Sequence, residues 1–163
     1  MSHFIIIRGA AGVGKSTITK ELAEITTAKV YQYDQIMKSL GFNFIQGEKW
    51  IPLHKYLAAD KVMIPKFQKE LAENVSLIFD GNFYHYEQID QLIKQLNYPH
   101  YIFTLKANLE ECIKRNKTRI GKLADAAVKE VFEITKDQNY GIVIETDNKT
   151  TQEVVEEIIK QIN

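Results

Sequence analysis

The sequence predicts an α/β fold, a parallel sheet covered by helices on both faces. Short apolar runs of strand length recur along the chain, and they alternate with longer segments of helical period. The strand runs are apolar without interruption, as strands buried on both faces must be. At 163 residues and 45% hydrophobic, the chain can bury the core of one compact domain.

The elements follow in order. Phe4 to Arg8 (FIIIR) is short and β-branched, a strand; Ser16 to Ile25 then sets Ile18, Leu22 and Ile25 on one helical face. Lys29 to Tyr33 reads as the second strand, followed by Asp34 and a helical pattern through Ile36, Met37 and Leu40 that Gly41 closes. From Phe42 to Leu57 the sequence is irregular and aromatic, with Pro52 expected to break any helix before one resumes over Ala58 to Glu73. Three more units follow: Val75 to Asp80 with a helix over Tyr86 to Leu96, Tyr101 to Leu105 with a helix over Leu109 to Ile120, and Ile142 to Glu145 with a helix over Thr151 to Ile162. Gly121 to Gln138 is helical in pattern and charged. Ligands of such sheets sit beyond the carboxyl ends of the strands. Those ends carry Gly9, Asp34, Asp80, Lys106 and Asp147.

Bulk properties exclude several classes. Lysine plus arginine equals aspartate plus glutamate at 21 each, so nothing global marks a nucleic-acid or membrane partner, and a nucleic-acid substrate would need a local lysine patch. The single cysteine, Cys112, has no disulfide partner and falls among Leu105, Leu109 and Ile113, the setting of a buried structural thiol. No cysteine or histidine cluster has zinc-ligand spacing. Membrane-spanning length is not approached, and MSHFIII lacks the features of a signal peptide, so a cytoplasmic location is expected.

The stretch GAAGVGKST at residues 9–17 carries the chemistry. Gly9, then four residues (Ala10, Ala11, Gly12, Val13), then Gly14, Lys15 and Ser16 form a complete P-loop pattern between a strand and a helix. Small residues let successive backbone N–H groups curl around a phosphate, and the helix presents the positive end of its dipole to that charge. Lys15 is expected at the outer phosphates, Ser16 on Mg²⁺ and Thr17 at the α-phosphate, so the ligand is a nucleoside triphosphate. The Asn-Lys pairs continue as NKTR and NKTT, so the guanine-reading Asn-Lys-x-Asp motif is missing. Oligomeric ATPase modules need more residues than this chain has, whereas a kinase needs only a phosphate cradle, an acceptor-positioning group and cations over the transferred phosphoryl.

With Asp34 after the second strand, LIFDGNF at residues 77–83 and CIKRNKTR at residues 112–119, the chain resembles the small P-loop kinases over nearly its full length. That group includes adenylate, shikimate, gluconate and polynucleotide 5′-hydroxyl kinases and related antibiotic phosphotransferases. The resemblance implies the P-loop NTPase fold, a five-stranded parallel sheet in order 2-3-1-4-5. It also implies an acceptor-binding insert at about residues 35–73 and a short lid at about 115–138. By the same resemblance Asp34 orients the attacking hydroxyl and accepts its proton, while Asp80 holds Mg²⁺. Gly81 and Asn82 approach the acceptor, Arg115 and Arg119 fold over the triphosphate, and Asn148 with its neighbours Thr146 and Asp147 holds adenine, which makes the nucleotide ATP.

Each of these positions has a plainer alternative. Asp34 suits a helix N-cap and Asp80-Gly81 a turn, while Arg115 and Arg119, on one helix face at i and i+4, suit a solvated basic surface with Glu111 paired to Arg115. Between Arg8 and Arg115 there is no arginine to clamp an acceptor phosphate or carboxylate; only lysines such as Lys38, Lys49, Lys55 and Lys61 are at hand. The aromatics Phe42, Phe44, Trp50, Tyr56, Phe83, Tyr84 and Tyr86 suit either stacking on an acceptor or core packing, and His54 and His85 read as structural. The reading is a Mg²⁺-dependent, ATP-using phosphotransferase acting on a hydroxyl of a small molecule, nucleoside or nucleic-acid end. The competing class is a nucleotide-binding switch, or a degenerate kinase, with slow ATP hydrolysis and a macromolecular partner.

Overall fold

A computed structural model describes residues 1–120 and 123–162. Its sheet contains β1 (Phe4–Arg8), β2 (Lys29–Gln32), β3 (Leu77–Asp80), β4 (His100–Lys106) and β5 (Ile142–Glu145) in the order β2-β3-β1-β4-β5. All four pairings are parallel, as expected, with Ile7 opposite both Asp80 and Phe103. The helices are α1 (Lys15–Thr26), α2 (Tyr33–Ser39), α3 (Leu53–Ala72), α4 (Tyr86–Leu96), α5 (Leu109–Thr118), α6 (Asp125–Thr135) and α7 (Thr151–Ile162).

The period of two in β1 divides the core. Phe4 and Ile6 join Tyr31, Phe67, Phe79 and Leu92 on one face, under α3 and α4. Ile5 and Ile7 join Leu22, Ile78, Phe103 and Ile158 on the other, under α1 and α7. Burying every residue of β1 is what forbids polar alternation there.

Two helix boundaries depart from expectation. Pro52 opens α3 rather than breaking it: it occupies the N-cap with φ −62°, and its missing N–H is one that a helix start leaves unpaired anyway. Helix α5 ends at Thr118, and Arg119 leaves it in extended backbone, so Arg115 and Arg119 do not share a helix face. The charged stretch 121–138 contains α6, while its first two positions lie outside the described residues. Among the described residues no helix is long and apolar enough to cross a membrane.

Candidate active site

The loop after β1 takes its shape from its glycines. Gly9 has φ +145°, and a Cβ there would stand 2.4 Å from the Leu105 carbonyl oxygen. Gly12 has φ +85°, and its Cβ would stand 2.3 Å from the Cys112 carbonyl oxygen, so only glycine lets the loop lie against α5. Ala10, Ala11 and Val13 turn their side chains into the core. Gly14 occupies the N-cap of α1 in the left-handed conformation, and no side chain caps the helix. Its first amides therefore face outward, as an anion site requires.

Lys15 donates from Nζ to the carbonyl oxygens of Gly9 and Ala10, each at 2.9 Å. Burial lowers its pKa; Asp80 and Asp34 oppose that shift, and the Arg119 charge adds to it. These four charged groups thus share one region. Ser16 and Thr17 are exposed, and Ser16 Oγ donates to Asp80 Oδ2 at 2.8 Å. Asp80 itself is buried at the end of β3, where desolvation raises its pKa against the pull of Lys15 and the Ser16 hydrogen bond. A hydroxyl beside a carboxylate is a hard oxygen donor set of the kind Mg²⁺ takes when phosphates supply the remaining ligands. No group of three or more His, Cys, Asp and Glu among the described residues is placed to hold a metal ion. Gly81 does not open toward the cleft: it is buried, and a Cβ would meet the Phe83 ring at 3.0 Å.

Residues 12–18 of the loop and α1 form one wall of a cavity of about 740 Å³, and Arg115, Arg119, Thr146, Lys149 and Thr150 form the other. Arg115 makes four hydrogen bonds within the protein. Its Nε donates to Glu111 at 3.0 Å, one terminal nitrogen to the Val13 carbonyl at 3.1 Å and to Thr146 Oγ1 at 3.0 Å, and the other to the Thr146 carbonyl at 3.2 Å. The pairing with Glu111 is therefore real, yet the same guanidinium also braces the phosphate loop against the segment after β5. Arg119, by contrast, is exposed. Asn148 is exposed with φ +58° and does not itself line the cavity, although Thr146 and Lys149 on either side do. Cys112 is fully buried, and desolvation pushes its thiol up to about 11, the inert state expected for it.

On the opposite side of Lys15, Asp34 lies in the first turn of α2, exposed, while Gln32 holds the N-cap position. Asp34 is thus not the cap. The neighbouring Tyr33 points inward and donates to Asp60 Oδ1 at 2.7 Å, and Gln88 Nε2 donates to the same oxygen at 3.3 Å. Asp60 is 0% exposed, and its second oxygen has no partner among the described residues. This polar triad ties α2, α3 and α4 together directly behind Asp34. Its only trace in the sequence is an aspartate on the buried stripe Tyr56, Asp60, Ile64, Phe67.

Burial raises Asp60 to about 6 against the Tyr33 and Gln88 hydrogen bonds. A carboxyl raised in the folded state binds its proton more tightly there than in the unfolded chain. Its contribution is present at low pH and lost as pH rises from about 4 to about 6. Urea unfolding of the wild type should therefore show stability falling across that window by roughly 2–3 kcal/mol. Asp60→Asn should flatten the profile; an unchanged slope in the variant would assign the trend to other groups.

Arg8 was equally hidden. It is 0% exposed and donates to the Phe83 carbonyl at 3.1 and 3.2 Å, to Thr104 Oγ1 at 2.8 Å, and to Gln138 Oε1. With no carboxylate among these partners, desolvation lowers the guanidinium to about 10. Most of the aromatics expected near the acceptor pack on one another. Tyr56 donates to the Tyr84 hydroxyl at 3.2 Å, which accepts from the Ile51 N–H at 3.0 Å, while Phe83 is buried against Tyr33. Phe44 and Trp50 stay exposed, and Lys55 is paired with Glu48 at 3.0 Å.

Comparison with known proteins agrees with this fold. A family model described as an AAA domain matches residues 4–140. A Pyrococcus furiosus protein named "Putative adenylate kinase" is 27% identical over 161 residues, covering 98% of this chain and 83% of that protein. Among solved structures, a sugar kinase from Janibacter sp. HTCC2649 superposes with a TM-score of 0.75 at 18% identity, covering 99% of this chain and 95% of the other. The tunicamycin resistance protein of Deinococcus radiodurans superposes with a TM-score of 0.73 at 21% identity, covering 100% and 96%.

Proposed function

Because the chain belongs to the P-loop kinase family whose AAA-domain model spans residues 4–140, we propose that it is an ATP- and Mg²⁺-dependent phosphotransferase whose acceptor is a hydroxyl group. The observation that carries the reading is the chemistry facing Lys15 from the acceptor side. A carboxylate, Asp34, and the phenols of Tyr56 and Tyr84 stand in that region, the two phenols feeling the Asp34 charge, while Arg119, the one exposed arginine, lines the nucleotide cavity. Arg8 is buried in neutral hydrogen bonds and Arg115 is engaged by Glu111, Val13 and Thr146. A carboxylate that takes a proton suits an alcohol, whereas an acceptor phosphate calls for bidentate arginines.

In this reading the acceptor oxygen bonds to the γ-phosphorus as the bond to the β,γ-bridging oxygen breaks. ADP leaves, and the hydroxyl proton passes to Asp34. Lys15 exchanges its two carbonyl partners for the outer phosphate oxygens, and the uncapped amides of α1 hold the rest of the chain of phosphates. Ser16 and Asp80 are the residues that would hold Mg²⁺, which when bound neutralises phosphate charge. Arg119 supplies a mobile cation to the transferring group, and Arg115 fixes the loop and the adenine-side segment at Thr146. The insert at about 35–73 carries the acceptor side, and the lid at about 115–138 excludes water when closed.

The name of the Pyrococcus relative favours a second reading, transfer to the phosphate of AMP. Incubation with MgATP and a panel of nucleosides, sugars, sugar acids, 5′-hydroxyl oligonucleotides and AMP separates the two. Acceptor-dependent ADP release with a phosphate-ester product is the expected outcome. Formation of ADP from AMP as the sole activity would replace the hydroxyl reading, and tight ATP binding without any acceptor-dependent turnover would favour a nucleotide-gated binding protein.

A further inference from the structure

We infer that the acceptor is a hydroxyl-bearing ring compound of neutral or positive charge, seated between Trp50 and helix α6; this names the substrate class for the hydroxyl-transfer reading and rests on it. The seat is a cavity of about 570 Å³ with two unlike walls. Trp50, Tyr84 and His85 make an aromatic wall, with Trp50 tilted 32° to Tyr84 at 6.3 Å and edge-on to His85 at 5.9 Å. Glu130 and Glu133 on α6 make the facing wall. Trp50 is 38% exposed, so its ring is held in place yet open to the cavity.

The cavity is joined to the transfer region through hydrogen bonds. Gln138 lines it, donates from Nε2 to the Tyr84 carbonyl at 2.8 Å, and accepts from Arg8, the residue before Gly9. Phe83, next to Tyr84, packs its ring on that of Tyr33, next to Asp34, at 4.8 Å. The aromatic wall and the carboxylate proposed to take the proton are thus carried by adjoining segments.

The charges select the ligand. Carboxylates only accept hydrogen bonds, so they reward O–H and N–H donors and repel phosphate or carboxylate. Glu130 has no ion-pair partner among the described residues, while Glu133 is paired with Lys136 at 2.5 Å. The single lysine at the rim, Lys49, stands over the Trp50 ring at 5.1 Å. Aromatic faces accept the flat face of a sugar or base, or a cation. With Glu133 offset by Lys136, an anionic acceptor would meet Glu130, unpaired among the described residues, and gain only Lys49, which already rests on Trp50.

Trp50 is the only tryptophan in the chain, so its emission reports on this cavity. Fluorescence titration with glucosamine, kanamycin, adenosine, AMP and gluconate should give a saturable change with at least one of the first three and none with the last two. Glu130→Gln and Glu133→Gln should each weaken that binding about 10-fold, and calorimetry on Trp50→Phe should report a similar loss. Tighter binding of AMP or gluconate, wild-type affinity in both glutamine variants, or no response to any probe at millimolar concentration would each overturn the assignment. Binding of glucosamine or adenosine without phosphorylation would overturn hydroxyl transfer and keep the cavity's ligand class. Phosphorylation of a hydroxyl with Trp50 and both glutamates dispensable would do the reverse.

Discussion

Asp34→Asn is expected to lower acceptor phosphorylation by about 10²–10⁴-fold, the usual contribution of a positioned general base, and to leave ATP binding in place. The asparagine keeps the size of the side chain and its place in the first turn of α2, but cannot take the proton. The capping role that would give the substitution a purely structural effect belongs to position 32. Loss should therefore fall on kcat, with the melting temperature unchanged. Transfer at the wild-type rate would remove Asp34 from the chemistry, and a loss confined to KM would make it a binding group. The background attack of water on ATP is a useful second readout, because a variant that only misplaces the acceptor still hydrolyses nucleotide.

Gly12→Ala should be strongly destabilising and should reach the nucleotide site as well. Two penalties combine there: a left-handed φ of +85°, and a Cβ 2.3 Å from the Cys112 carbonyl oxygen. The first costs about 1–2 kcal/mol, the second a further 1–3 kcal/mol as loop and helix are forced apart. At about 2–4 °C per kcal/mol for a chain of this length, the melting temperature should fall by roughly 5–15 °C. Nucleotide affinity should fall with it, because Arg115 on α5 holds the Val13 carbonyl and both move when α5 moves. Gly41→Ala is the control: it has a φ of +75° but open space around the added methyl, so it isolates the backbone cost. Equal melting temperatures for the two variants would show that the loop is not pressed against α5.

Much of the architecture was legible because its signals are local. The uninterrupted FIIIR run, the helical stripe Ile18 and Leu22, and the punctuation by Gly41 fix the first elements, and the strand order follows the resemblance carried by the P-loop, Asp34 and Asp80. Where the reading failed, a local rule had two outcomes. Proline both breaks helices and begins them, and Pro52 begins α3. Helical period runs on through Arg119, but the chain departs from the helix at Thr118. The grouping of Lys15, Ser16, Asp80 and Asp34 followed from the rule that sites lie at the carboxyl ends of parallel strands.

The sequence by itself determined the phosphate cradle, because a P-loop works through backbone amides and its glycines fall at fixed spacing within one short stretch. Only the tertiary structure decided what the arginines and buried carboxylates do. Sequence pattern assigns no role to Arg8 or Asp60, and it sets Arg115 over the triphosphate or on a solvated face. Their partners, Gln138, Thr146, Tyr33 and Gln88, lie from 27 to 130 positions away. Whether a charge grips a ligand or braces the fold depends on which groups fill its hydrogen-bond directions. That is set by packing between distant elements, and a one-dimensional pattern carries no record of it.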